Sequence, residues 1–529
     1  PADCLTQRLR NFRLMPIPGR PHIYGPWHLG VNYSLPPEEL HQAEMSGGQD
    51  VRVGKGGEGE SRQGTTPYNG TAIGGGAAYT ACGQHFFNDT TSREFAINGA
   101  KFYEGVSGTW TDRSSTMTIT AGDDNTFSHA DANGTHLFTN GVSGDNMMKW
   151  TAAGGNVAAM DVDSRFTWAK WVEFFDNRVW MANTSTGTDE IWDSDIANID
   201  TWDALSFFQI GEIITGVKSI GDMLAVHSDK AITGLMPTGN AITPYRKKKR
   251  GNAGTISGRS IVTVQIPDKG ELQVYVRKDG IYAFNGLDSL KISGRLDGDR
   301  FWDLLDKDRL RQCFADHYEL LNEVWFYLPM ATAVGGTQTN MNIIHVYDYL
   351  RNIFYPPWLA GLNEEFSCAG VIDRVINSGD ISDGFLYTHE TGLNDTNGTA
   401  TNAMESFFTT SASPPEGTDV LLRWLYARHG FDILGDHTVT VSFTSPGIPS
   451  DSSTFNQGGG SAAIGSFKIG TDSISRGFLG HEDTDLNGYD PSLQFEYLNS
   501  GLSESMSIRS TTAVYKPIGR VRKPEAGVT

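Results

Sequence analysis

The chain has 529 residues, too many for one simple hydrophobic core, so it calls for two or more domains or one large β architecture. Hydrophobic residues make up 38% and charged residues 20%, which excludes a disordered chain. With 42 basic and 62 acidic residues the net charge is −20, which argues against general adhesion to nucleic acid, because affinity for a phosphate backbone comes mainly from Lys and Arg displacing counterions.

The 61 glycines, with 12 Trp, 18 Tyr and 27 Phe, point to many short strands joined by tight turns. Turns need positive φ, and pleated faces accept aromatic side chains. Residues 1–25 read as an extended arm, because Pro16, Pro18, Pro21 and Pro26 disfavour helix. This end carries Arg8, Arg10 and Arg13 but no apolar run of the secretory type. No segment approaches the ~20 apolar residues that a membrane helix needs. Residues 26–94 read as first strands and an insertion. The stretch 45–85, with Gly54, Gly56, Gly57, Gly59 and Gly74 to Gly76, is expected to be a long loop.

From residue 95 the texture changes. Phe95–Ile97 leads through Asn98-Gly99 into Lys101–Tyr103, and His136–Thr139 leads through Asn140-Gly141 towards Met147–Trp150. Phe174–Met181 holds the turn pair Asp176-Asn177. Met223–His227 and Ala231–Leu235 are separated by Asp229-Lys230. The clearest hairpin is Gln273–Asn285, where Val274 and Val276 alternate with Tyr275 and Arg277 before Asp279-Gly280. Hairpins recurring over residues 95–388 predict small antiparallel sheets repeated around an axis, a β-propeller, with stacked sandwiches as the alternative. Helix is scarce: Asp299–Asp308 is the one short candidate, with Phe301, Leu304 and Leu305 on one face and Leu310–Phe314 extending it.

Residues 389–402 are polar and turn-rich, as in a linker. Strand candidates then fall at 403–411, 418–428, 437–444, 464–470, 492–498 and 505–515, and residues 403–515 are expected to form a β-sandwich of roughly seven or eight strands. Residues 516–529, with Lys516, Arg520, Arg522 and Lys523, read as an exposed tail. The fold class expected from the whole chain is all-β, a propeller with an added sandwich.

Chemical motifs are few. A GxSxG elbow, HExxH and a GxxxxGK[ST] phosphate loop are all missing, so no catalytic or cofactor-binding residue is assigned. Cys4, Cys82, Cys313 and Cys368 have no CxxC spacing and are expected to be reduced, mostly buried thiols. The best metal candidate is Asp483, Asp485 and Asn487, followed by Gly488, which copies the first half of a calcium loop. Its twelfth position is Gln494 rather than Glu, and no helices flank it. The run Arg246, Lys247, Lys248, Lys249 and Arg250 is the densest positive charge and a candidate contact for DNA phosphate or for acidic surface on a neighbouring subunit. Trp358 and Trp424 are aromatics that could stack on sugars if exposed.

A resemblance runs in order through residues 165–290. It takes in Phe174-Phe175-Asp176-Asn177-Arg178-Val179-Trp180-Met181, then Ile191-Trp192-Asp193-Ser194-Asp195 with Thr201-Trp202. Asp222 to His227, Ala231 to Leu235, Gly254 to Val262 and Val276 to Gly286 follow. Gly25 to Asn32 and Tyr515 to Arg520 add an opening and a closing match, while residues 40–95 depart from the pattern. In these segments the chain resembles the tail-nozzle proteins of short-tailed bacteriophages (podoviruses), also called DNA-stabilisation or tail tubular B proteins. The resemblance implies a propeller with platform-like domains, assembled as a hexamer below the portal and adaptor proteins, with tail fibres as neighbours. It implies a virion location, assembly in the host bacterial cytoplasm, a channel that retains packaged double-stranded DNA and conducts it during ejection, and no catalytic residues. An acidic chain in such a ring is expected to line its bore with Asp and Glu, so that DNA slides rather than sticks. A tail-associated carbohydrate-binding or glycan-degrading propeller is the alternative function.

Overall fold

A computed structural model describes residues 19–520, apart from 89, 163–164, 241, 268, 299, 332–339, 360–364, 399, 435, 446–447 and 458–478. The chain divides into two units, Arg62–Met404 and the two chain ends together, Pro1–Ser61 with Glu405–Thr529. Both are built from antiparallel sheets, so the all-β class with a propeller and a sandwich is what the structure shows. Among the described residues no helix is long and apolar enough to cross a membrane.

Arg62–Met404 is a propeller of seven blades among the described residues. Their innermost strands are Tyr79–Phe86, Ser128–Ala132, Ala169–Phe175, Ile214–Ile220, Val262–Ile266, Phe314–Tyr318 and Phe366–Ile372. Blades 1 to 6 each run outward from that strand through consecutive hairpins. Blade 7 supplies only Phe366–Ile372, Val375–Asp380 and Leu386–Thr388, and its fourth strand is Thr66–Pro67 from before blade 1. The start of the unit thus closes the ring.

The sequence explains the blades. Turns between strands need positive φ at two successive residues, and Asp176 and Asn177 (φ 52° and 57°) and Asn133 and Gly134 (51° and 78°) provide it. Period two then sends alternate residues to opposite faces. In Arg178–Thr184, Val179 and Met181 join an apolar cluster with blade 2, whereas Trp180 and Ala182 join one with blade 4. Both faces are buried, so the strand reads as a continuous apolar run. The same apolar clusters link blade 1 to 2, 2 to 3, 3 to 4 and 4 to 5. At the closure, Tyr79, Cys82 and Ala96 of blade 1 pack on Cys368, Ile372 and Leu386 of blade 7.

Several expectations change. Tyr79–Phe86 is the inner strand of blade 1, so the propeller starts well before residue 95 and residues 26–94 are shared between the two units. The glycine-rich stretch is not one loop: it holds strands Met45–Gln49, Val51–Val53, Gly59–Ser61 and Thr66–Pro67. Residues 389–402 are not a free linker. Asn394–Asn397 pairs with Ala400–Ala403, and Asp395 accepts two hydrogen bonds from the Arg62 guanidinium, at 2.5 and 2.9 Å. The helix expected at 299–308 is instead two separate 3₁₀ turns, Trp302–Leu304 and Arg309–Gln312, and Phe314 begins a strand. Phe301 packs on His345 and the adjacent Trp302 is also buried, donating its indole N–H to Lys278 O, while Leu304 is exposed, so burial does not follow the stripe of Phe301, Leu304 and Leu305.

The second unit is a sandwich of two antiparallel sheets. One contains Arg20–Tyr24, Val51–Val53, Gly59–Ser61, Ser507–Arg520, Val420–Asp432 and Leu479–Tyr489. The other contains Met45–Gln49, Ser406–Thr410, Gln494–Asn499, Thr438–Ser445 and Ile448–Asn456. Four strands come from before the propeller, which sequence reading left out, because their glycines and short lengths hide the alternation. Part of the expected arm, Arg20–Tyr24, is a strand paired with Ser507–Arg520, which itself reaches into the expected tail. Between the sheets, Trp27 packs on Phe408 and Tyr497, and His429 Nδ1 meets the Tyr497 hydroxyl at 2.8 Å. The strand candidate 464–470 lies outside the described residues. Trp358 and Trp424 are 1% and 0% exposed, so neither offers a sugar platform.

Two stability outcomes follow. Arg62 and Asp395 are 4% and 5% exposed at their side chains, so Arg62→Ala leaves a carboxylate buried without its partner. Urea unfolding is expected to show a loss of about 3–5 kcal/mol, whereas Lys101→Ala, at the exposed Lys101–Asp112 pair, leaves the midpoint nearly unchanged. His345 is fully buried between Phe301 and Phe354 with neither ring nitrogen partnered, and burial pushes its pKa down to about 3. Below pH 6.5 the unfolded chain takes up a proton there and the folded one does not, so this site costs stability from pH 6.5 down to about 3. His345→Phe is expected to gain on the natural chain by about 1.4 kcal/mol per pH unit over that window, read from unfolding midpoints at pH 7.5, 6 and 5.

Candidate functional site

The seven inner strands surround a cavity of about 480 Å³ on the propeller axis. Each strand contributes: Gln84, Asp131, Glu173, Lys218, Thr263, Asp316 and Gly370 among others, with Arg259 from the turn before blade 5. Inner strands turn one edge towards the axis, and polar side chains there avoid the apolar layers between blades. Asp131 and Lys218 retain 60% and 40% of their side-chain surface, and both line this cavity deep in the unit.

The charges pair across blades. Lys218 Nζ lies 3.2 Å from Glu173 Oε2, and the Ser219 hydroxyl donates to Glu173 Oε1 at 2.9 Å. The Glu173 charge raises the Lys218 pKa against the opposing effect of burial. Burial pushes Asp316 up to about 6, although the His317 N–H donates to it at 2.7 Å and Lys218 is near. Burial lowers Arg259, whose guanidinium donates to Ser367 O and sits 4.7 Å over the Phe314 ring.

At blades 1 and 2, His85 Nδ1 lies 2.6 Å from Asp131 Oδ1, and His136 Nδ1 contacts the same oxygen. Burial alone would raise Asp131, but its close contacts with His136 and His85 outweigh it and hold the carboxyl well below the usual range. His129 lines the cavity beside them, and burial, with His136 and Lys218 nearby, pushes it down to about 3. On the closing seam the Cys82 and Cys368 sulfurs stand 3.6 Å apart. The neighbouring Cys368 thiol and then burial push Cys82 well above the usual thiol range, and burial pushes Cys313 to about 12. A Ser–His pair also occurs, Ser378 Oγ with His389 Nε2 at 2.7 Å, but both residues are buried within blade 7 and neither lines the axial cavity.

None of the sequence candidates reaches this cavity. Asp483 and Asp485 belong to the sandwich strand Leu479–Tyr489, not to a loop. An extended strand cannot wrap oxygens around calcium, and the Asp483 carboxylate is held by Arg428 through two hydrogen bonds of 2.7 Å. The side chain of Asn487 lies outside the described residues. Arg246 to Arg250 form most of Tyr245–Gly251, the outermost strand of blade 4, with Arg246, Lys247, Lys248 and Lys249 exposed. The cavity residues were missed because inner strands mix polar and apolar positions. One signal was available: His129 and Asp131 share a face at period two, and His136 pairs opposite Asp131 across the turn Asn133-Gly134.

No family model and no curated protein matches the chain. Similar solved structures include the extracellular domain of the putative one component system BT4673 from B. thetaiotaomicron, 11% identical with a TM-score of 0.40 over 77% of this chain and 57% of that one. The N-terminal domain of Nup159 is 9% identical, with a TM-score of 0.36 over 63% of this chain and 95% of that one. BBS1N, in complex with ARL6DN, is 9% identical with a TM-score of 0.29 over 40% of this chain and 69% of that one. The propeller assignment therefore rests on the chain's own sheets.

Asp316 offers a direct test of the cavity electrostatics. Its folded pKa lies above the ordinary 3.8, so stability is lost as the pH rises from 3.8 to about 6, and the full cost is present above that. Asp316→Asn is expected to stabilise the chain by about 1–2 kcal/mol at pH 8, discounting for water in the cavity. At pH 3, below the ordinary 3.8, where both the folded and the unfolded carboxyl are neutral, the unfolding midpoints of the two chains should converge.

Proposed function

We propose that the chain is a structural, non-enzymatic component of a short-tailed bacteriophage tail, a nozzle subunit below the portal and adaptor that holds packaged DNA and conducts it during ejection. The reading is carried by where the family-like segments fall. Phe174 to Met181 is the first hairpin of blade 3, Asp222 to His227 and Ala231 to Leu235 are the second and third strands of blade 4, and Val276 to Gly286 spans the second and third strands of blade 5. A resemblance that falls on a blade hairpin in each of three successive blades follows the sheets rather than scattered turns.

Charge supports the same reading. A subunit of net charge −20 suits a wall along which DNA slides. Repulsion is screened within ~8 Å at physiological salt, so only bore-lining side chains matter, and these are proposed to be mainly Asp and Glu. The exposed Arg246, Lys247, Lys248 and Lys249 occupy the terminal strand of a blade. They are proposed to contact acidic surface on the neighbouring subunit of a hexamer, with virion tails as the location.

Light scattering on the purified chain is expected to give a particle near six times 57.8 kDa, and electron microscopy a six-fold ring with an open centre. Changing Lys248 and Lys249 together to Glu should shift the population to single subunits while the circular dichroism spectrum stays that of a folded β protein. A monodisperse monomer at tail-assembly concentrations, together with absence of the chain from purified tails, would overturn the proposal.

A further inference from the structure

We propose that His85, Asp131 and His136 form a binding site for one divalent transition-metal ion of the zinc type, clipping blade 1 to blade 2 at the axial cavity. The inference is independent of the tail reading. His85 comes from the inner strand of blade 1, while Asp131 and His136 face each other across the first hairpin of blade 2. One ligand atom from each lies within 4.8 Å of the other two.

His85 Nε2 lies 3.2 Å from the carbonyl oxygen of Gly134. A carbonyl only accepts, so this nitrogen carries a hydrogen. In neutral His85 the Nδ1 atom is then a bare lone pair, and it points at a carboxylate oxygen 2.6 Å away. Two acceptors face each other, and the contact is resolved by a metal ion between them or by a second proton on the ring. A metal-ligating imidazole characteristically donates its other N–H to a backbone carbonyl, as His85 does to Gly134. His136 presents its Nδ1 to the same oxygen and is 2% exposed, with a buried Nε2 that has no hydrogen-bond partner among the described residues.

Two imidazole nitrogens and one carboxylate suit zinc, cobalt or nickel ions rather than calcium or magnesium. Ligands at ~2.1 Å in tetrahedral geometry stand about 3.4 Å apart, so the carboxylate must retreat by roughly 1 Å from the two rings. Asp131 has room to do so, because its side chain is 60% exposed to the cavity. The fourth position then opens onto cavity water, the pattern of three protein ligands plus an exchangeable one.

Tag-free full-length protein, stripped with a chelator at pH 7.5, is the material for the test. Co²⁺ titration followed by visible absorbance should saturate at one ion per chain with the bands of a low-coordinate site, and Zn²⁺ but not Ca²⁺ should bleach them. Asp131→Asn should weaken Co²⁺ binding at least tenfold, and His85→Gln likewise, each with an unchanged circular dichroism spectrum, whereas Asp483→Asn should bind as the natural chain does. Should one of the first two variants fail to fold, the other carries the comparison. Lack of saturable Co²⁺ and Zn²⁺ binding would sink the proposal, as would equal affinity in the folded variants. So would ¹⁵N shifts showing both His85 nitrogens protonated in excess Zn²⁺, since the cation would then be a proton.

Discussion

The propeller depends on one constraint: blades 1 to 4 are each apolar on both faces, so none of them can leave its neighbours without exposing a core. Trp180 and Val179 are adjacent in sequence, both fully buried, and buried against different blades. Such a stack has no stable end unless it closes. Closure is made by Tyr79, Cys82 and Ala96 against Cys368, Ile372 and Leu386, and by the short strand Thr66–Pro67 pairing with Tyr387 and Thr388. The Arg62–Asp395 pair lies beside that strand in sequence and ties the same entry point to the segment that follows blade 7.

Closure in turn creates the axis. Seven inner strands converge there, and their polar side chains share one small cavity. Charge is then tolerated only with partners close by. Glu173 with Lys218 joins blades 3 and 4, Asp131 with His85 joins blades 1 and 2, and Arg259 reaches a carbonyl of blade 7. The polar contacts of the cavity therefore repeat, in another chemistry, the blade-to-blade links of the apolar layers. A metal ion at His85, Asp131 and His136 would be one more such link.

Much of the propeller is written locally. Phe174 to Met181 and Gln273 to Asn285 declare themselves as hairpins because their turns need Asp, Asn or Gly and their strands alternate. Inner strands are less legible. Ser128–Ala132 reads as a polar stretch, since half of its side chains face a wet axis, and Tyr79–Phe86 was hidden behind a glycine-rich prelude. The tempting chemical motifs misled for a physical reason. Asp483 and Asp485 have calcium-loop spacing, but a strand with its own pairing partners holds them extended, and Arg428 takes the Asp483 charge.

By itself the sequence determined the class of structure: strand periods, turn pairs and scarce helix follow from interactions within a few residues. Tertiary structure alone decided the rest. The number of blades, the strand borrowed from residues 66–67, the sandwich strands drawn from both chain ends and the meeting of His85 with Asp131 and His136 all join positions far apart in the chain. Local preference carries no information about such pairings, because the free energy that selects them comes from burying faces that only the closed ring brings together.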